Sequence, residues 1–301
     1  MTVFEQAKQN PTPARSASQS WQARLELGFE MQGFEAQAER TILRHRKHVG
    51  PLRVQKALWP EDNGICHAIL VHPPAGIAGG DALEIDVQAG AHSHAVLTTI
   101  GAGKWYGSDG RLAEQTVYLR VGEQAVLEWL PQEVMLYDRA RVNSHVRIDL
   151  AQSSCLMAWD MLLIGRASRD EYFTDGLYNS QTQIWQGEQL LLDDRLAIAG
   201  GDRWLTSPLG LAGHRLMGTF WAVAPDTHRN AQQMDVLIDQ MYELIVRSKI
   251  PMAITRLDHL LVMRYVGDDA RQCLDGFAAM RASLRRAWLD LDEAYLRIWR
   301  T

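Results

Sequence analysis

Histidines and carboxylates hold the chemical options of this sequence. His92 and His94 stand two apart. On one strand they would share a face and reach one divalent transition-metal ion if a third ligand converged. Cys66-His67 and His72 are further candidates. Neighbours on a strand point to opposite faces, so Cys66 and His67 would not chelate together. Spacing alone supplies too few convergent ligands for a preformed site, which makes solvent-facing or hydrogen-bonded histidines the simpler expectation. Acids recur at Glu84, Asp86, Glu128, Glu133, Asp138, Asp149 and Asp160. Most suit a wet sheet face. Glu128, however, lies between Leu127 and Trp129, and Asp160 between Trp159 and Met161. With those apolar neighbours buried, both acids face the other side, where burial is costly unless they are paired or wet. A water-filled channel would make them tolerable and let them hold passing cations weakly.

Two loops invite chemical readings. Thr98–Tyr106 (TTIGAGKWY) is glycine-rich and contains Lys104, a combination that suits an anion. A Walker A loop needs a glycine five residues before its last one and a hydroxyl residue after the lysine; Thr98 and Trp105 stand there instead. A tight bend between strands is the expected structure. His72–Asp81 (HPPAGIAGGD) pairs two prolines with three glycines, which describes a rigid loop with unusual backbone angles. Its readings are a structural turn, or a loop recognised by shape or lining a passage. No GxSxG elbow or HExxH helix is present, and no Cys-His arrangement goes beyond chance.

The elements that must position these residues are mostly strands. Trp21, Ala23, Leu25, Leu27, Phe29 and Met31 alternate with mostly polar residues, the period of a strand with one buried face. Similar runs recur at 65–71, at Leu83, Ile85 and Val87, at Val117, Leu119 and Val121, and at Val146, Ile148 and Leu150. Later ones span 156–164, 189–198 and 215–223, and glycine, proline and aspartate clusters separate them. Many short strands at such spacing predict a mainly β core. Two segments change period. Over 230–249, Met234, Leu237, Ile238, Met241, Leu244 and Ile245 give a helical stripe that Pro251 stops. Over 268–290, Ala270, Cys273, Leu274, Phe277 and Leu284 give another, with Asp268 or Asp269 as N-cap. A buried strand is expected between them at 257–266. Residues 1–20 are rich in Gln, Ala, Ser and Pro and read as a disordered tail, leaving 21–301 as a single domain.

The chain has 301 residues, 47 % of them apolar, a net charge of −5 and a pI near 6.1. That average charge argues against general affinity for nucleic acid or an anionic membrane. Three separated cysteines fit a reducing compartment. With no signal-peptide run and no apolar stretch long enough to span a bilayer, a cytoplasmic protein is expected.

Eight segments together resemble the UreD (UreH) family of urease accessory proteins. They are Gly50–Lys56, His72–Asp81, Thr98–Ser108, Leu127–Glu133 (LEWLPQE), Arg147–Ala151, Gly165-Arg166, Gly210–Gly213 and Arg297–Thr301 (RIWRT). Order and spacing match from about residue 21 onwards. Ala75 replaces a usual glycine and Trp105 a usual phenylalanine, both mild departures. The resemblance implies stacked strands in a β-helix-like arrangement with two α-helices in the C-terminal quarter. It implies no catalytic residue, no tightly bound cofactor and no assigned metal ligand. It also implies partners: the urease apoprotein, a UreF-like protein and, through it, a UreG-like GTPase, with Ni²⁺ in transit to the urease site. Such a role asks for a sheltered polar path of weak ligands and two protein-binding surfaces. Trp288, Tyr295 and Trp299 are candidates for one surface or, equally, for packing on the core. A small-molecule hydrolase using the loop around His72 and Asp81, and a purely structural adaptor, are the competing readings.

Overall fold

A computed structural model describes residues 20–33, 39–61 and 63–300, so the expected tail over 1–20 lies almost wholly outside the described residues. Among the described residues seventeen strands follow in chain order: β1 (Gln22–Gln32), β2 (Arg40–Val49), β3 (Arg53–Val54), β4 (Cys66–Val71), β5 (Ala82–Ala89), β6 (His94–Thr99), β7 (Gly103–Trp105), β8 (Ala113–Val121), β9 (Val126–Leu130), β10 (Val134–Leu136), β11 (Arg141–Leu150), β12 (Cys155–Ile164), β13 (Leu177–Gln186), β14 (Gln189–Ala199), β15 (Leu216–Val223), β16 (Met252–Leu257) and β17 (Leu260–Gly267). Helix α1 (Ala231–Ser248) precedes β16, and α2 (Ala270–Leu289) follows β17.

The strands form two facing sheets. One has the order β14-β13-β11-β8-β5-β1-β2. The other runs β16-β17-β15-β12-β9-β6-β4-β3, with β10 and β7 alongside β12. From β4 to β13 the chain alternates between sheets and pairs in parallel with the strand one turn earlier. Cys66 pairs with Ala95, Ala95 with Leu127 and Leu127 with Leu156, a coil of roughly thirty residues per turn. Each end of the coil changes to antiparallel pairing, at β1–β2 and β13–β14 in one sheet and at β3–β4 and β12–β15 in the other. This is the expected stacked, solenoid-like β architecture with its two helices at the C-terminal end.

Alternation does what the sequence period requires. Ala23, Leu25, Leu27 and Phe29 of β1 are buried between the sheets with Leu83, Ile85, Val87, Leu97, Leu119 and Leu127. A second core lies on the other face of the β12 sheet, under the helices. There Trp159, Phe220 and Phe277 meet with ring centroids 5.4 to 5.7 Å apart. The helix ends match expectation. Asn230 accepts from the amides of Gln232 and Gln233, and Asp269, of the two candidates, accepts from those of Arg271 and Gln272. Asp268 instead holds His214 at 2.7 Å and the Arg215 amide at 2.9 Å. The strand expected at 257–266 begins at Leu260, because Asp258 (φ 57°) makes the turn from β16. Gly218 allows the close approach of α2 to β15: a Cβ there would sit 2.7 Å from the Cys273 sulfur and 2.9 Å from the Phe277 ring. Among the described residues no helix is long and apolar enough to cross a membrane.

Candidate functional site

The two acids singled out by their neighbours point in opposite directions. Glu128 leaves β9 on the helix side and is fully buried. It is paired. Its Oε1 accepts from Arg285 Nη1 at 2.6 Å and lies 2.7 Å from His94 Nε2, and its Oε2 accepts from Arg281 Nε. Arg285 also reaches Glu61, which lies 2.7 Å from His67 Nε2. Arg281 Nη1 donates to the carbonyl of Ala294 at 2.6 Å, while its Nη2 is buried without a partner among the described residues. Burial pushes the Glu128 carboxyl up, but the charge of Arg281, the hydrogen bond with His94 and the charge of Arg285 together hold it well below the usual carboxylate range. Burial depresses His94 more than Glu128 raises it, so its imidazole titrates below the usual 6.5. The cluster bolts α2 to the sheet; it is not a channel.

Asp160 leaves β12 on the inner face, between the sheets, because Trp159 and Met161 face the helices. It is only half-buried. Across its sheet it neighbours Thr219 and then Arg264, and Arg264 Nη2 crosses to Asp194 Oδ2 of β14 at 2.8 Å. Opposite stand the rows Ser144–Ser180 and Val146–Thr182–Asp194. Ser144, Val146, Ser180, Asp194 and Met217 are likewise incompletely buried. The inter-sheet space is therefore apolar around β1, β5 and β8, and lined by polar, incompletely buried residues around Asp160. Burial and the nearby Asp194 raise the Asp160 carboxyl to about 7 against the pull of Arg264. Such a group is ionised only in part near neutral pH, and a cation beside it would favour the ionised form. This row is the feature of the interior best suited to holding a cation loosely.

Other expectations resolve as follows. His92 and His94 do not share a face: His92 lies in a turn with φ 61°, outside β6, and is exposed. Cys66 and His67 face opposite ways, as the strand period requires, with Cys66 in the inter-sheet core. Glu84 lies 3.3 Å from Arg24, Asp86 pairs with Arg120, and Asp149 with Arg147 at 3.0 Å, all on the outer face. Asp138 caps a turn, accepting from the amides of Thr174 and Asp175. Glu133 is half-buried, and its carbonyl accepts from the Gly103 amide at 2.8 Å. The loop 98–106 offers no anion cradle: the amides of Gly103 and Tyr106 donate to Glu133 and Ile77. It zips against the loop 72–81, where the Ile77 amide donates to Lys104 and Gly76 lies flat against the Tyr106 ring.

Asp81 is committed to structure. Its Oδ1 accepts from the Trp21 amide at 2.7 Å and its Oδ2 from the Ala78 amide at 2.9 Å. His72 makes no hydrogen bond with it, and among the described residues His72 Nε2 has no hydrogen-bond partner. The pair a hydrolase would need is not assembled. Trp288 and Trp299 are buried, with Trp299 5.4 Å from Trp159 and its Nε1 donating to Thr98 at 3.1 Å, so they serve the core. Tyr295 packs edge-on against Trp299. The exposed apolar residues of this face are Val236, Tyr242 and Val246 of α1, the last 74 % exposed. Sequence reasoning missed Arg281 and Arg285, which interrupt the apolar stripe of α2 between Phe277 and Trp288. That interruption, set beside the flagged Glu128, was the available signal.

A cavity of about 810 Å³ lies between β4, β6 and the segment 290–298, with Glu61, His67, Thr98 and Tyr295 on its walls. Among the described residues no group of three or more His, Cys, Asp or Glu converges as a metal site.

Comparison with known proteins bears on what these features serve. The family profile described as UreD urease accessory protein matches residues 22–300. A urease accessory protein UreD of Acinetobacter baumannii (strain AYE) is 48 % identical over 286 residues, covering 95 % of this chain and 97 % of that protein. Proteins of the same description from Azoarcus sp. (strain BH72) and Dechloromonas aromatica (strain RCB) are 40 % and 39 % identical, covering 95 % and 94 % of this chain and 96 % of each relative. With the profile spanning nearly the whole sequence and the relatives aligned almost end to end, the chain belongs to the UreD family of urease accessory proteins, whose role lies in urease maturation.

Proposed function

We propose that this protein is a nickel-delivery chaperone. It binds the urease apoprotein, recruits a UreF-like protein and through it a UreG-like GTPase, and shelters Ni²⁺ on its way into the urease site. It works in the cytoplasm, as part of a multiprotein complex, with nickel as passing cargo and no resident cofactor. The observation that carries the reading is the incompletely buried polar row between the sheets, centred on Asp160 and Asp194, in a chain of this family. A delivery route needs oxygen ligands that bind a hard or borderline cation weakly and in succession, since a tight site would trap it. A half-buried carboxyl beside hydroxyls, with a second carboxylate already shared with Arg264, has that character.

The test is nickel loading of urease in cells expressing the urease subunits with UreE, UreF and UreG. The chain is supplied as wild type, as Asp160→Asn, or not at all. Nickel per active site and ureolysis are expected to collapse without the protein, and to fall severalfold with Asp160→Asn while the complex still assembles. Normal loading without the chain would sink the chaperone reading. Normal loading with Asp160→Asn, complex intact, would favour a structural adaptor with nickel travelling elsewhere.

A further inference from the structure

The edge of the sandwich made by β2 and β3 carries a charge distribution unlike the rest of the chain. Residues 40–56 hold six Arg or Lys and no Asp or Glu, in a protein of net charge −5. β2 is the last strand of one sheet and β3 the last of the other, so their cations line a single side of the molecule. Arg44, Arg46, Lys47, Arg53 and Lys56 are exposed and form no ion pair among the described residues. Elsewhere cations are mostly matched, as in Arg24 with Glu26, Arg147 with Asp149, Arg256 with Asp235 and Arg271 with Asp275. Within the patch, Arg40 stacks 5.0 Å over the ring of Trp59, and His45 lies 3.4 Å from Glu26. Trp59, 37 % exposed, is fixed by its Nε1 donating to the Thr41 carbonyl of β2 at 2.8 Å. Leu58 is exposed next to it in sequence, and Val49 is exposed at the far end of β2. An arginine stacked on a rigid, partly exposed tryptophan, on an edge rich in arginine, matches the composition of a protein interface. Among the described residues β2 pairs as a strand with β1 alone; Thr41 on its other edge is taken by Gly64 and Trp59, which leaves the stretch after it for an added strand.

We propose that this edge is a docking surface for an acidic protein partner. The partner is held by Arg44, Arg46, Lys47, Arg53 and Lys56 along the edge, with Arg40 and Trp59 at one end, and an extended acidic segment pairs along β2 beyond Thr41. The charge of the edge selects the occupant. A second copy meeting β2 edge to edge would set cation against cation, and residues 1–19, with one acid and two bases, do not complement it. The inference rests on the maturation reading for its identity: the acidic partner is the urease apoprotein. It gives the chain a binding surface separate from the helix face.

Full-length protein is titrated against purified urease apoprotein at low, physiological and high salt. The same titration is run with Arg44→Glu/Arg46→Glu and with Trp59→Ala, each checked by thermal melt for an unchanged fold. The expected result is binding by wild type that weakens steeply with salt, about tenfold or more loss for the charge reversal at physiological salt, and a flattened salt dependence for that variant. Equal affinity and equal salt dependence in wild type and charge reversal overturns the inference. Self-association of the variant with unchanged urease binding does so too, since the cations would then only keep the edge from pairing. Duplex DNA added as a competitor must leave urease binding in place; displacement at matched concentration would make the surface a phosphate reader instead. If wild type itself does not bind urease, the maturation reading fails first, and this occupant with it.

Discussion

Two guanidinium groups and an imidazole close on Glu128 away from water. Removing its charge strands the buried Arg281 and leaves Arg285 with Glu61 alone. Glu128→Gln is expected to cost about 3–5 kcal/mol in urea unfolding at pH 7.5. Replacing Glu128 and Arg281 together by Leu and Met, which leaves Arg285 its bond to Glu61, should cost less than Glu128→Gln alone. The cluster also fixes an acid response. His94 titrates below 6.5 when folded, so the unfolded chain binds the extra proton and stability declines as pH falls below 6.5. Glu128, depressed from 4.5, adds a second loss as pH falls further. Asp160 has the opposite sign. Its folded value of about 7 lies above the unfolded 3.8, so its contribution is complete below pH 3.8 and gone once pH passes 7. Melting curves of Asp160→Asn against wild type should therefore show a relative gain that grows from pH 5 to about pH 7; a constant difference would remove the Asp160 carboxyl from the account. Both acids were legible from their apolar neighbours. Their partners were not: an arginine inside a helical stripe reads as solvent-facing until the sheet opposite it is known.

At the scale of elements, α1 and α2 were legible to within a residue or two, because a 3.6-residue stripe and a capping side chain are local signals. The strand β2 was not. It is the edge of its sheet, its residues 44–49 are all exposed, and no period of two survives where neither face is buried. The docking edge was thus hidden by the same property that makes it available. Short β7 and β10 exist only because parallel partners hold them, a non-local cause. The contact of α2 with β15 rests on Gly218. Gly218→Ala should cost about 1–3 kcal/mol by pressing on Cys273 and Phe277, and Cys273→Ala in the same chain should recover part of it. Asn230→Ala should cost about 1 kcal/mol through the lost α1 cap, read in the same unfolding assay.

For the whole molecule, the sheet containing β12 has one core on each face, so neither core can open without stripping the other's floor. Helical circular dichroism and tryptophan fluorescence are expected to report one coincident unfolding transition; an early loss of the helical signal would show the second core to be separable. The coil itself was legible only through the family resemblance. Its turns return after roughly thirty residues without repeating a residue pattern, so no internal period marks them.

The ion cluster has a consequence during synthesis. Arg281 and Arg285 follow Glu128 by 153 and 157 residues. At ribosomal speeds Glu128 emerges roughly 10–30 s before either arginine exists. For that interval the nascent sheet shows an unneutralised carboxylate in the middle of an apolar face still waiting for α2. The charge keeps that face wet and discourages it from sticking to other nascent chains, until the two arginines arrive and seal it.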